Sequence, residues 1–229
     1  MIKHIFFDLD HTIWDFDKNA EESLLELYSR YELDKLGLNS AEKFISTYTE
    51  NNHLLWAQYH LGQITKETLR SERFSKTFVQ LGLHPDRIPP QFEDDYVSLT
   101  PTKRNLFDGA TTVLTYLRQK YDLHIISNGF KESTLKKLEV CDLNCYFQNI
   151  IISEDVGVNK PDKAIFEYAL DKASALKEES IMIGDSIEAD IRGAQAFGMK
   201  AIFFNPTYKE LPDDVLWQIN HMEELLQHF

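Results

Sequence analysis

Two aspartates stand two residues apart in HIFFDLDHTIW, at positions 8 and 10, directly behind an apolar run. Acids are rarely buried without a partner, so carboxylates at the end of a hydrophobic strand ask for a chemical reason. In an extended strand, residues two apart point to the same side, so Asp8 and Asp10 would present their carboxylates together. A third acid, Asp185, closes another apolar run, SIMIGD (180–185). Three carboxylates gathered in one place cannot all stay ionised without a cation. A ligand set made only of oxygen favours a hard ion, and magnesium takes a few carboxylates while keeping room for water and a phosphate oxygen. Asp8, Asp10 and Asp185 therefore read as a site for Mg2+.

Other polar residues fall in comparable places. Ser127 and Asn128 close the run LHIISN and Gly129 follows it, and Lys160 lies in the loop EDVGVNKPD behind NIIISE. A hydroxyl and free main-chain amides where a strand passes into a helix suit phosphate oxygens, and Gly129 allows a close backbone approach. Lys160 adds a mobile positive charge for the same group. Alone, a DxD pair, an SNG turn or a KP dipeptide is an ordinary surface feature. Their joint occurrence, each just beyond a strand, points to one site with Asp8, Asp10 and Lys160 as catalytic candidates and Ser127, Asn128 and Lys160 as phosphate ligands.

The elements that must position these residues follow from the pattern. Apolar runs at 5–10, 123–128, 149–154, 180–185 and 200–205 predict buried strands, and VLWQI (215–219) an edge strand. Helical patterns fill 109–120, 131–139, 162–172 and 188–197, and Asn220 is expected to cap a last helix. Strands alternating with helices predict an α/β fold, a Rossmann-like doubly wound parallel sheet. In such a sheet ligands bind beyond the carboxyl ends of the strands. Residues 17–99 hold no convincing strand and three long amphipathic helical patterns. The expected organisation is thus a core of 1–16 and 100–229, interrupted by an all-helical cap domain over 17–99.

The bulk composition excludes several classes. The 229 residues carry 24 basic and 37 acidic side chains, a formal charge of −13. That field repels polymeric nucleic acid, and it makes a local positive charge necessary for any phosphate ligand. No stretch approaches the ~20 apolar residues of a membrane helix, and the opening MIKHIFFDLD is too short and too acidic for a signal peptide. A soluble cytoplasmic protein is expected. Cys141 and Cys145, four apart, match neither a paired zinc motif nor a redox pair and are expected to be reduced thiols.

FDLDHT, IISNG, NKPD and GDSIEAD resemble, in order and context, the four signature motifs of the haloacid dehalogenase superfamily, and the helical insertion resembles the small cap of its subfamily I. The resemblance implies that Asp8 is the nucleophile and Asp10 the general acid and base. It implies that Asp8, the main-chain carbonyl of Asp10, and Asp185 hold magnesium, and that Asp190 supports that site. Ser127 and Lys160 would bind the transferring phosphoryl group. Having an acid at position 10 favours phosphomonoester hydrolysis or phosphoryl transfer over halide release. His11 replaces the glycine often found there in the superfamily and is expected to serve the turn.

The stretch NNHLLWAQYHLGQIT (51–65) also resembles the cap of bacterial pyrimidine 5′-nucleotidases. The resemblance implies a small phosphorylated metabolite, a pyrimidine nucleoside monophosphate, as substrate, with sugar-phosphate hydrolysis or a phosphomutase reaction as the alternative. His53, Trp56 and Tyr59 or His60 recur at helical spacing, which suits stacking on a base as well as packing inside the cap. Trp14 reads equally as hinge lining and as core.

Overall fold

Continuous apolar runs, rather than alternating ones, mark strands covered on both faces, and such runs build the sheet. In the computed structural model, which describes residues 1–229, these are β1 (His4–Phe7), β2 (Asp122–Ser127), β3 (Asn149–Ile152), β4 (Ser180–Gly184), β5 (Lys200–Phe204) and β6 (Gln218–Ile219). Every residue of β1 and β4 is buried. The order is β3-β2-β1-β4-β5-β6, and every pairing is parallel. Register levels the carboxyl ends, since Phe7 lies opposite both Ile125 and Ile183. The chain reverses its direction of winding between β1 and β4, the switch point at which doubly wound sheets bind ligands.

Phe6, Ile126, Met182 and Phe203 from the sheet share one core with Ile165, Phe166 and Ala169 of a helix spanning Lys163–Ala173. The chain divides into two compact units, Met1–Phe16 with Arg104–Phe229, and Asp17–Lys103. The first also carries α5 (Ala110–Leu117), α6 (Lys131–Val140), α7 (Ser153–Val156), α8 (Lys163–Ala173) and α9 (Gly193–Phe197). The second contains no strand; α1 (Phe16–Arg30) runs into it, and α2 (Ala41–His60), α3 (Lys66–Gln80) and α4 (Phe92–Leu99) lie within it. Ser40 and Thr65 cap α2 and α3 by accepting from Lys43 N and Thr68 N. The interior of this unit is aromatic, with Phe44, Phe74, Phe78 and Phe92 in mutual ring contact. Buried Arg73 is held by Glu93 at 2.7 and 2.8 Å. No helix is long and apolar enough to cross a membrane.

Several boundaries differ from the sequence expectation, among them the edge strand, which spans only Gln218–Ile219, and three have a visible cause. The first strand stops at Phe7 instead of reaching Asp10: Ile13 N and Trp14 N both donate to Leu9 O at 2.9 Å, folding the chain back through His11, whose φ is 60°. Glycine is the usual residue for that conformation, so His11 takes the turn role expected of it. Behind β3, Ser153 and Glu154 open a short helix instead of extending the strand. At the C-terminus the cap is His221, not Asn220, because Glu224 accepts from the His221 amide at 2.7 Å while the Asn220 side chain is turned to Asn205 O.

Candidate active site

The carboxyl ends of β1 and β4 bring Asp8, Asp185 and Asp190 together. One carboxylate oxygen from each lies within 4.8 Å of the other two. Lys160 stands against this group with its ammonium 2.6 Å from Asp8 Oδ1 and 2.6 Å from Asp190 Oδ1, and it also donates to Ile126 O at 2.6 Å. At 1% exposure it is a locked charge, not the mobile one the sequence suggested. Burial alone would lower its proton affinity; Asp190 and Asp8 outweigh that and hold the lysine above its ordinary range. Burial pushes the Asp8 carboxyl well up, with Asp190 and Asp185 adding to the rise and Lys160 opposing it. Asp185 is pushed up to about 7 by burial and then by Asp190. One cation facing three crowded carboxylates leaves excess negative charge. An all-oxygen donor set with that excess fits a divalent hard cation.

The side-chain cluster differs from the expected one in a single member. Asp190 supplies the third carboxylate where the sequence pointed to that of Asp10. Asp190 is also more than an acid at the start of a helix. It is 1% exposed, and its Oδ2 accepts from Ser186 N at 3.0 Å. Gly184 makes this possible, because a methyl group on its Cα would overlap the Asp190 carboxylate. Residues 187–192 wind as a π-helix, so Ser186 O accepts from both Asp190 N and Ile191 N. Thr12 Oγ1 reaches Asp185 Oδ1 at 3.4 Å, tying the turn after β1 to the loop after β4.

Ser127, Asn128 and Gly129 extend from β2 toward the same ends. Asn128 spends its side chain on structure: Nδ2 donates to Lys160 O at 2.9 Å, and Oδ1 accepts from Lys160 N at 2.8 Å. Only its main-chain amide remains for an anion. The Gly129 amide, expected to be free, donates to Ser127 Oγ at 3.0 Å.

Asp10 takes a different partner from Asp8. Its Oδ1 accepts from Lys137 Nζ at 2.6 Å. Lys137 lies on α6, is 4% exposed, and sits 4.3 Å from the centre of the Trp14 ring and 5.6 Å from that of Phe16. Sequence reasoning missed this lysine. The available signal was its place among Thr134, Leu138 and Cys141, where the helical period puts the inward face of α6. Trp14, read equally as hinge or core, is fully buried. Cys141 caps the end of α6, and both cysteines are free thiols.

Residues 2–198 match the haloacid dehalogenase-like hydrolases. Pyrimidine 5′-nucleotidase YjjG of Escherichia coli is 34% identical over 227 residues, covering 97% of this chain and 96% of that protein. Pyrimidine 5′-nucleotidase PynA of Streptococcus pneumoniae is 31% identical over 210 residues, covering 91% and 86%. Among solved structures, the HAD-hydrolase YfnB of Bacillus subtilis, described as bound to magnesium, has a TM-score of 0.87 and 28% identity, over 99% of this chain and 98% of that one.

Proposed function

The chain belongs to the haloacid dehalogenase-like hydrolases, and from that premise we propose that it is a magnesium-dependent phosphomonoesterase of the cytoplasm, acting on pyrimidine nucleoside 5′-monophosphates. The observation that carries the chemistry is the pairing of Asp8 Oδ1 with the buried Lys160 ammonium. A carboxylate anchored through one oxygen is oriented to attack with the other. The resemblance of residues 51–65 to nucleotidase caps, together with the two nucleotidase relatives, supports the choice of substrate.

Phosphate monoesters are slow to hydrolyse, so the site must position groups and neutralise charge. Asp8, the main-chain carbonyl of Asp10, and Asp185 would hold magnesium, with Asp190 behind them. The ion would supply positive charge for the phosphate oxygens. Asp8 attacks phosphorus and the P–O ester bond breaks. Its electron pair leaves with the ester oxygen, which takes a proton from Asp10. Water then attacks phosphorus as Asp10 takes its proton, the bond from phosphorus to the Asp8 oxygen breaks with its electron pair returning to the Asp8 carboxylate, and inorganic phosphate departs. Ser127 Oγ would bind the phosphoryl oxygens through both steps, while Lys160, whose three N–H donors go to Asp8, Asp190 and Ile126 O, would hold Asp8 in place and supply positive charge beside them. A departing halide needs no proton, whereas an ester oxygen does, so the acid at position 10 favours phosphate esters.

A phosphate-release screen tests the reading, using pyrimidine and purine 5′-monophosphates, sugar phosphates and small acid phosphates, with magnesium and then with a chelator. Turnover should depend on magnesium and be highest on uridine or thymidine monophosphate. A tenfold or greater preference for a sugar phosphate would overturn the nucleotidase assignment, and undiminished turnover in chelator the magnesium dependence.

A further inference from the structure

Asp10 leaves β1 on a loop rather than on a strand, so the sheet does not fix the direction of its carboxylate. Something else must, because a general acid works only within hydrogen-bond reach of the atom it protonates. Resting on the reading of Asp10 as that acid, we propose that Lys137 is the positioning residue that aims the Asp10 carboxylate, and that α6 and the Trp14 turn are built to hold it.

Three observations converge. Lys137 Nζ donates to Asp10 Oδ1 at 2.6 Å while its side chain is 4% exposed. A lysine so placed loses its hydration and remains only where a charge partner repays the loss. Second, its ammonium has an aromatic cage. The face of Trp14 lies 4.3 Å from Nζ, and Phe16 stands at 5.6 Å, packed edge-on to Trp14 at 5.9 Å. That wall is stitched to the residue it serves, because Trp14 bridges to Asp10, its carbonyl accepts from His11 N at 2.9 Å, and Leu106 pairs with it from the other side. Ring, lysine and carboxylate are therefore joined in one network of contacts.

Third, the other oxygen of Asp10 faces a different way. At Gly129 an added Cβ would lie 3.1 Å from Asp10 Oδ2, 3.1 Å from Ser127 Oγ and 2.8 Å from Thr134 Oγ1. Thr134 precedes Lys137 by one helical turn on α6, and its hydroxyl is buried without a partner. With Oδ1 tied to Lys137, Oδ2 is the oxygen left on the Gly129 side, where Ser127 Oγ closes β2 and the phosphoryl group would sit. Thr134 and Lys137 thus lie on one face of α6, and Lys137 alone of the two bonds the acid.

The test separates aiming from mere packing. A group acting through the acid matters most where the leaving oxygen needs a proton, so kcat/KM is measured on phenyl phosphate and on p-nitrophenyl phosphate, whose nitrophenolate departs unaided. Lys137→Met keeps the volume and removes the donor. Its kcat/KM is expected to fall on the order of 10²-fold for phenyl phosphate but less than about threefold for p-nitrophenyl phosphate, and Asp10→Asn should give the same pattern. Lys137→Arg, which restores a donor, should recover part of the difference. Equal losses on the two esters in Lys137→Met, with the selective pattern intact in Asp10→Asn, overturn the role of Lys137. A non-selective loss in Asp10→Asn overturns instead the reading of Asp10 as the acid. Should Lys137→Met fail to fold, Lys137→Gln, too short to reach Asp10, is judged by the same ratio.

Discussion

Asn128 holds Lys160 by both faces of one peptide segment, donating to its carbonyl at 2.9 Å and accepting from its amide at 2.8 Å. The end of β2 thereby fixes the backbone of a loop that arrives 32 residues later, and the lysine reaches Asp8 from a rigid base. Asn128→Ala removes two buried hydrogen bonds, each worth about 1 kcal/mol. It should lower stability by about 2 kcal/mol and cut kcat more than KM, because Lys160 loses its anchor and not its charge. Asn128→Asp should do worse than alanine, since a carboxylate oxygen would face the Lys160 carbonyl. Denaturant melts beside steady-state kinetics decide; a rise in KM alone would show that Asn128 binds substrate and does not brace Lys160.

Asp8→Asn should remove turnover and yet raise stability in the absence of metal. The folded protein holds the Asp8 carboxyl well above its ordinary range, by burial and by Asp190 and Asp185. A carboxyl raised on folding destabilises the native state wherever it must ionise. The neutral amide relieves that repulsion and still accepts from Lys160. Thermal unfolding in chelator should give a higher Tm for Asp8→Asn than for the wild type, and magnesium should raise the wild-type Tm more than the variant's. A variant less stable than wild type in chelator would mean that the ion pair with Lys160 outweighs the crowding.

Gly184→Ala should uncouple the metal site from the fold. The added methyl overlaps the Asp190 carboxylate, which cannot retreat without leaving both Lys160 and Ser186 N. Overpacking of this kind costs typically 1–3 kcal/mol. The expected outcome is a lower Tm with a weakened response to magnesium, read by titrating the metal against unfolding. An unchanged magnesium midpoint would separate Asp190 from the metal site.

Much of the site could be read in the chain because its residues obey position. Asp8, Ser127, Lys160 and Asp185 each follow an apolar run, and a parallel sheet delivers the ends of such runs to one edge. What escaped depends on partners rather than on place. Lys137 sits beside exposed Lys136 in an ordinary helical stretch, and only the packing of Trp14 and Phe16 makes it an interior residue. Asp10 reads as part of the strand because the turn that redirects it relies on a positive φ at His11, a conformation histidine does not announce. Asn220 and His221 each have a glutamate three residues on, and tertiary contact of Asn220 with Asn205 selects the second as the cap.

At the opposite end of the sheet, His4 and His124 form a buried pair that should make stability fall at acid pH. Asn149 Nδ2 lies 3.0 Å from His124 Nδ1, and an amide nitrogen only donates, so Nδ1 accepts and Nε2 carries the proton toward His4 Nδ1 at 3.2 Å. A second proton on His124 would expel the Asn149 donor and charge a ring that is 0% exposed and stacked on Phe6. Burial, with His4 adding to it, pushes His124 down to about 4 from an ordinary 6.5. The unfolded chain therefore binds this proton first as pH falls. The stability it contributes is complete above pH 6.5, drains between 6.5 and about 4, and levels off below. The full loss amounts to roughly 3 kcal/mol. Urea unfolding at pH 7.5, 5.5 and 4.5 should show a steeper loss in the wild type than in His124→Gln, which has no proton to gain; parallel slopes in the two proteins would rule the pair out as the source.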